Sequence, residues 1–311
     1  MSKGAAAMDP GRQASKLYKE ATSLSNPSLL SFRFAAEWER ATPLYEKAAQ
    51  LFRQAGDYGM AKQCLEKAAM GQERQRSGWH AAKNMEKAGE IAKEMGIWDD
   101  VEECYSRAAE YYNGEGRHTA AADALAKGAR ALEEKRPEVA AKMYQQAVEW
   151  MEESGKDALA GDVFRQAISH LIKTQKWGDA VRLLMRFAAS CDACGARSSQ
   201  CKAYLGAVVV WLYGQDAKQA WMTYQDALEV ETFASSDEAF AAEALFDAYR
   251  TGDPEAVVKL VKKNQTLSNL DNQIARLCKK LPTGDVAKLG HQLGGAAPGL
   301  DVGEGGEEDL T

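Results

Sequence analysis

The chain lands on itself when shifted by 40 residues, and this period restricts the folds open to it. Tyr45-Glu-Lys-Ala-Ala49 falls on Met85-Glu-Lys-Ala-Gly89, and Gly56-Asp57-Tyr58-x-x-Ala61 falls on Gly96-Ile97-Trp98-x-x-Val101. Leu65-x-x-Ala68-Ala69 falls on Tyr105-x-x-Ala108-Ala109. Later copies run through Leu125-Ala-Lys-Gly128 with Pro137-x-x-Ala140-x-x-x-Tyr144, and through Phe164-Arg-Gln-Ala167 with Trp177-x-x-Ala180-x-x-x-Leu184. Ala220-x-x-x-Tyr224-x-x-Ala227 is a last copy. Small residues at helical spacing within such a period predict stacked helix pairs, a tetratricopeptide-like α-solenoid.

The physics of one unit explains its residues. Apolar side chains recur at spacings of three and four, so each helix carries one apolar stripe. Ala at the repeating positions lets helices approach, and Tyr, Trp, Phe and Leu fill the holes opposite. Turns such as Gly56-Asp57 and Trp177-Gly178-Asp179 combine a helix-ending Gly with a helix-starting Asp. One pair cannot bury its stripe alone, so pairs must stack into a slab with a concave and a convex face. The seven prolines fit this plan, since none falls between Pro43 and Pro137 or between Pro137 and Pro254. No run of alternating β-branched residues predicts a strand, and the fold class is all-α.

The spacing predicts helix pairs at 37–55 with 58–74, 78–95 with 98–113, 117–135 with 137–154, 157–175 with 177–194, and 198–213 with 216–232. Residues 1–13 read as a disordered start, and Ala14–Ser23 as a short first helix. Residues 14–232 form the solenoid, with an apolar loop at 24–34. Residues 233–281 read as a C-terminal helical bundle that includes one helix from Leu267 to Leu281. From Pro282 the chain turns Gly-rich, and 282–311 read as a flexible tail with five acids and no base after 300. Pro43 either lies early in its helix or starts it with Thr42 as cap.

Chemistry-bearing residues are scattered. His80, His118, His170 and His291 do not cluster, and the Walker, nucleophile-elbow and His-Glu-x-x-His motifs are absent. No catalytic residue, metal site or cofactor is expected. Cys191-x-x-Cys194 with Cys201 is the one metal-like spacing, with His170 the nearest histidine, and the better reading is cysteines at a helix junction. Cys64, Cys104 and Cys278 read as small buried hydrophobes. A net charge of −6 argues against a general nucleic-acid binder. The start carries no secretory signal, and the apolar run Gly206–Leu212 is far too short to cross a bilayer.

Two features remain. Leu29, Leu30, Phe32 and Phe34 crowd a loop, where large apolar residues are unusual. Either they fold back on the first helices, or they dip into a membrane interface for transient docking. A lone Leu310 sits among the acids of the tail, as Glu307-Glu308-Asp309-Leu310.

The repeats, the apolar loop, the C-terminal bundle and the ending Gly-Glu-Glu-Asp-Leu-Thr together resemble the soluble NSF attachment proteins. Tyr45-Glu-Lys-Ala-Ala, Ala81-Ala82 and Tyr144-Gln-Gln-Ala147 are most similar to the gamma type. The resemblance implies an adaptor that binds assembled SNARE complexes of syntaxin-type helices. It would recruit and stimulate the hexameric AAA ATPase NSF in vesicle-mediated transport, ER–Golgi transport and membrane fusion. It implies a cytoplasmic protein, peripheral on secretory and endosomal membranes. Leu29, Leu30, Phe32 and Phe34 would touch the membrane, and Glu307, Glu308, Asp309 and Leu310 the ATPase. A basic face of Lys83, Lys87, Lys127 and Arg165 would touch SNAREs; Asp123 stands where the alpha type would place a lysine. The alternative is a general tetratricopeptide-type scaffold for a peptide or chaperone partner.

Overall fold

A computed structural model of the chain describes residues 9–26 and 35–294. The described residues form helices and no strand. Contacts divide the chain into two compact units, one up to Thr174 and one from Gln175.

The first unit comprises α1 (Pro10–Ser25), α2 (Trp38–Gln54), α3 (Tyr58–Arg74), α4 (Gly78–Met95), α5 (Trp98–Gly114), α6 (His118–Leu132), α7 (Pro137–Glu153) and α8 (Asp157–Lys173). Each helix packs on the next in sequence, and α4 meets α6, as α6 meets α8, across the stack. Four of the turns share one device. A residue with positive φ follows the helix at Gly56, Arg76, Gly96 and Gly116. In each case the next amide donates back to the carbonyl five residues earlier, as Ile97 does to Ala92 at 3.0 Å and Ser77 to Gln72 at 2.9 Å. Only Arg76 among these four carries a side chain in that conformation, which glycine adopts at lower cost.

Packing between layers depends on missing side chains. Tyr105 of α5 is buried between α4 and α6. A Cβ on Gly89 of α4 would meet its ring at 2.8 Å, and one on Gly128 of α6 would meet its Cβ at 2.7 Å and Met143 Cε at 2.6 Å. Flanked in this way, α6 exposes only Asp123, Lys127 and Arg130 between Ala121 and Arg130.

The second unit comprises α9 (Trp177–Ala193), α10 (Arg197–Tyr213), α11 (Ala217–Leu228), α12 (Glu231–Ala234), α13 (Asp237–Arg250), α14 (Pro254–Lys263), α15 (Gln265–Ser268), α16 (Asn272–Cys278) and α17 (Val286–Gly294). Its centre is α10, which packs against α9, α11, α12, α13 and α16. The apolar run Gly206–Leu212 is therefore a core helix, as an all-round apolar helix in a soluble core should be.

The structure revises several sequence expectations. The first helix starts at Pro10 rather than Ala14, because the Asp9 side chain accepts from the Arg12 amide at 3.2 Å and Pro10 suits the first helical position. Leu24 belongs to the end of that helix and not to the following loop; it is buried, and its carbonyl accepts from the Glu37 amide at 2.9 Å. Helix α2 begins at Trp38, so Pro43 lies inside it and Thr42 is no cap: its hydroxyl donates to the Trp38 carbonyl at 2.7 Å. The expected helix 267–281 is broken: Gln265–Ser268 and Asn272–Cys278 are separate short helices. The stretch after 282, read as flexible, is helical over Val286–Gly294, where Val286, Leu289 and Leu293 are buried. The expected boundary at 232/233 falls within the second unit, since α13 and α16 pack on α10.

Adding a methyl group where Tyr105 meets α6 tests this packing. Gly128→Ala should cost about 1–3 kcal/mol in denaturant unfolding. Gly114→Ala, where nothing lies within 4 Å, should leave stability unchanged or slightly raised.

Candidate functional site

The even-numbered helices of the first unit share a polar face. Polar positions three and four apart form a stripe on two of them, half-buried Lys83 with exposed Lys87 and Glu90 on α4, and Asp123, Lys127 and Arg130 on α6; α8 adds exposed Asp162 and Arg165 and, about two turns further on, Lys173. Polar ties about one sequence period long cross from helix to helix. Asn84 donates to Glu46 of α2 at 2.8 Å, Lys127 to Glu86 of α4 at 2.6 Å, and Lys173 to Glu133 beyond the end of α6 at 2.8 Å.

Glu86 is the hub of this face. Its side chain is 9% exposed, and it accepts from Lys83 and Lys127 at 2.6 Å each and from the Tyr112 hydroxyl at 3.1 Å. Burial alone would push its carboxyl up, but the hydrogen bonds from Lys127 and Lys83 outweigh this and hold it below the ordinary range. The Glu86 hydrogen bond is the largest influence on Lys83 and raises its ammonium. Lys83 also lies over the rings of Trp79 and Tyr112, at 5.8 and 5.7 Å from their centroids. A second knot joins Tyr144, Glu133 and Lys173; partial burial pushes the Glu133 carboxyl up, but the hydrogen bonds from Lys173 and Tyr144 outweigh it and hold the carboxyl low.

The expected basic residues are therefore not one continuous positive patch. Lys83 and Lys127 meet at Glu86, and Arg165 pairs with Asp162 at 2.5 Å. Lys87 lines a cleft between α2 and α4 with Glu46, Arg53, Asn84 and Glu90, and it makes no ion pair among the described residues. Arg130 was not among the expected residues. It is exposed, makes no ion pair among the described residues, and lines the cleft between α6 and α8 with Arg165 and Lys173. The sequence signal for it was present, since it stands on α6 where the 40-residue shift places Glu90 of α4.

Other candidates have local duties. The Ser77 hydroxyl meets His80 Nδ1 at 2.7 Å, and Asn113 Oδ1 meets His118 Nδ1 at 2.7 Å, so both rings bond beside the starts of α4 and α6. His170 is buried and donates from Nε2 to the Pro137 carbonyl at 2.9 Å. The Cys194 thiol donates to the Cys191 carbonyl and that of Cys201 to the Thr232 carbonyl, each at 3.5 Å. Burial pushes Cys64, Cys104 and Cys278 up to about 12. Among the described residues no cluster of His, Cys, Asp or Glu could hold a metal, and no helix is long and apolar enough to cross a membrane. Leu29, Leu30, Phe32, Phe34, Glu307, Glu308, Asp309 and Leu310 lie outside the described residues.

Fold and face define a class: a helical-repeat protein that presents an extended charged surface, a form suited to holding another macromolecule. Comparison with known proteins specifies it further. The model of the family described as soluble NSF attachment protein, SNAP, matches residues 12–283. A gamma-soluble NSF attachment protein of Arabidopsis thaliana is 42% identical over 281 residues, which cover 90% of this chain and 94% of that one. One from Dictyostelium discoideum is 31% identical over 263 residues, covering 85% and 80%. The chain belongs to the soluble NSF attachment protein family.

The hub has a pH signature. The folded pKa of Glu86 is depressed, so its stabilisation is present above the unfolded value and is lost as pH falls through the folded one. Glu86→Gln should therefore cost about 1–3 kcal/mol at pH 7, and denaturant titrations should show the gap to wild type closing below about pH 4.

Proposed function

We propose that this chain is an adaptor that binds assembled SNARE complexes and brings the ATPase NSF to them for disassembly in vesicle transport. Membership of the attachment-protein family carries this reading. The protein acts by holding partners in place and performs no bond chemistry of its own.

The face on α4, α6 and α8 is the SNARE-contacting surface in this reading. A four-helix SNARE bundle offers rows of carboxylates, and complementary charge sets orientation and encounter rate more than final affinity. Lys87 and Arg130 are the contributors of first rank, because they have no ion pair to give up among the described residues. Lys83, Lys127 and Arg165 must exchange a carboxylate partner for a SNARE carboxylate, which reduces the net gain.

Leu29, Leu30, Phe32 and Phe34 provide a transient membrane contact. The hydrogen bond from the Glu37 amide to the Leu24 carbonyl supports this, because it holds the two ends of that segment close together. Burial of each large side chain would contribute about 1.5–3 kcal/mol. Glu307, Glu308, Asp309 and Leu310 contact the ATPase, and several adaptors around one hexamer multiply a weak contact through avidity.

Deletion of residues 307–311 should abolish NSF stimulation while leaving SNARE-complex binding intact; retained stimulation would refute the tail assignment. Lys87→Glu with Arg130→Glu should weaken SNARE-complex pull-down about tenfold, roughly 1.4 kcal/mol; unchanged pull-down would remove these two residues from the contact. For the loop, Phe32→Ser with Phe34→Ser should reduce liposome flotation, and unchanged flotation would exclude lipid insertion.

A further inference from the structure

Helix α14 presents a cationic face that has no ion-paired carboxylate among the described residues. Lys259, Lys262 and Lys263 lie at i, i+3 and i+4, so they share one side of the helix, and all three are exposed. Val257 and Val261 point to the opposite side and are buried. None of the three lysines makes an ion pair among the described residues, and Glu255 is the only carboxylate of the helix. Lys62, Lys83, Lys127 and Lys173 of the first unit, by comparison, each have a carboxylate partner. An unpaired cationic face in a chain of net charge −6 calls for an anionic occupant.

The same chain contains one. Residues 301–311 hold Asp301, Glu304, Glu307, Glu308 and Asp309 without a single basic residue. Their point of departure is close by. Gly252, beside the start of α14, lies against Ala287 of α17, and Gly290 lies against the Tyr249 carbonyl. From the far end of α17 to the far end of α14 is thus at most two short helices, about 13 and 15 Å long. The ten residues from Gly294 to Glu304 can span about 33 Å, and the acids after them reach further. Tethering over such a distance corresponds to a millimolar effective concentration, enough for weak ion pairs to form.

We propose that the acidic segment 304–309 docks on the Lys259–Lys262–Lys263 face of α14 and so latches the tail against its own chain. The proposal rests on the reading above only for its consequence: latched carboxylates are withheld from the ATPase until a competing anion or basic surface releases them. The latch itself is a property of this chain alone.

The test uses the full chain with a fluorophore joined after Thr311, and reads its anisotropy without any partner. The Lys259→Glu, Lys262→Glu, Lys263→Glu variant should lower the anisotropy to the value that wild type shows in about 0.5 M salt, where such pairs are screened. Adding Glu307→Lys, Glu308→Lys and Asp309→Lys to that variant should restore it. Unchanged anisotropy in the first variant, or no recovery in the second, overturns the latch. So does an unchanged anisotropy accompanied by lost flotation on phosphatidylserine vesicles, which would give the face to anionic lipid. In an NSF assay the lysine-reversed chain should reach half-maximal stimulation at about threefold lower concentration. A wild-type chain that latches yet never stimulates would sink the adaptor reading and leave the latch standing.

Discussion

The first unit depends on the ring of Tyr105 fitting between two helices that have no side chain at the point of contact. Gly89 and Gly128 stand one period apart and leave the space that the ring fills. Even one methyl group at either place would press on the ring or on its Cβ. Interiors packed at crystal-like density do not absorb such an intrusion without displacement. At these contacts α4 and α6 carry small residues, and α5 between them supplies the large ring. The repeated alanines follow from this division of labour and not from helix propensity alone.

That close approach also determines the electrostatics. Because α4 and α6 meet directly, a carboxylate on one can take an ammonium from the other, and Glu86 takes Lys127 in this way. The buried carboxylate would be costly without partners, and with two lysines and a tyrosine it becomes a fixed point of the face. The outcome is a surface whose cations are partly neutralised and held in place. On this face Lys87 and Arg130 are left without an ion pair among the described residues.

The period, the helix pairs and the small-residue rule were all legible in the sequence, because each repeats and because helical spacing reports burial directly. Met85-Glu-Lys-Ala-Gly89 already marked the place where Tyr105 enters. The ion pairing of Lys83, Lys127 and Arg165 was not legible. A lysine on a stripe looks the same whether or not a carboxylate on the next helix reaches it. The break of the expected helix 267–281 at Asn269–Asp271 was hidden for a similar reason, since Leu270, Ile274 and Leu277 keep helical spacing across it and all are buried. The end of the chain misled in the opposite direction: glycines suggested disorder, yet Val286, Leu289 and Leu293 are spaced to bury one side of α17. Gly290 is itself required there, because its Cβ would meet the Tyr249 carbonyl at 2.5 Å.

The central claim is that the charged face exists before any partner arrives, held by the packing of its inner helices. Hydrogen exchange of the free chain and of the chain with an assembled SNARE bundle tests this most directly. The amides of Gly78–Met95 and His118–Leu132 should be the most protected of the first unit in the free chain, and the bundle should add little to them. Rapid exchange in the free chain that slows only when the bundle is added would mean that the face folds on its partner, and would contradict the account.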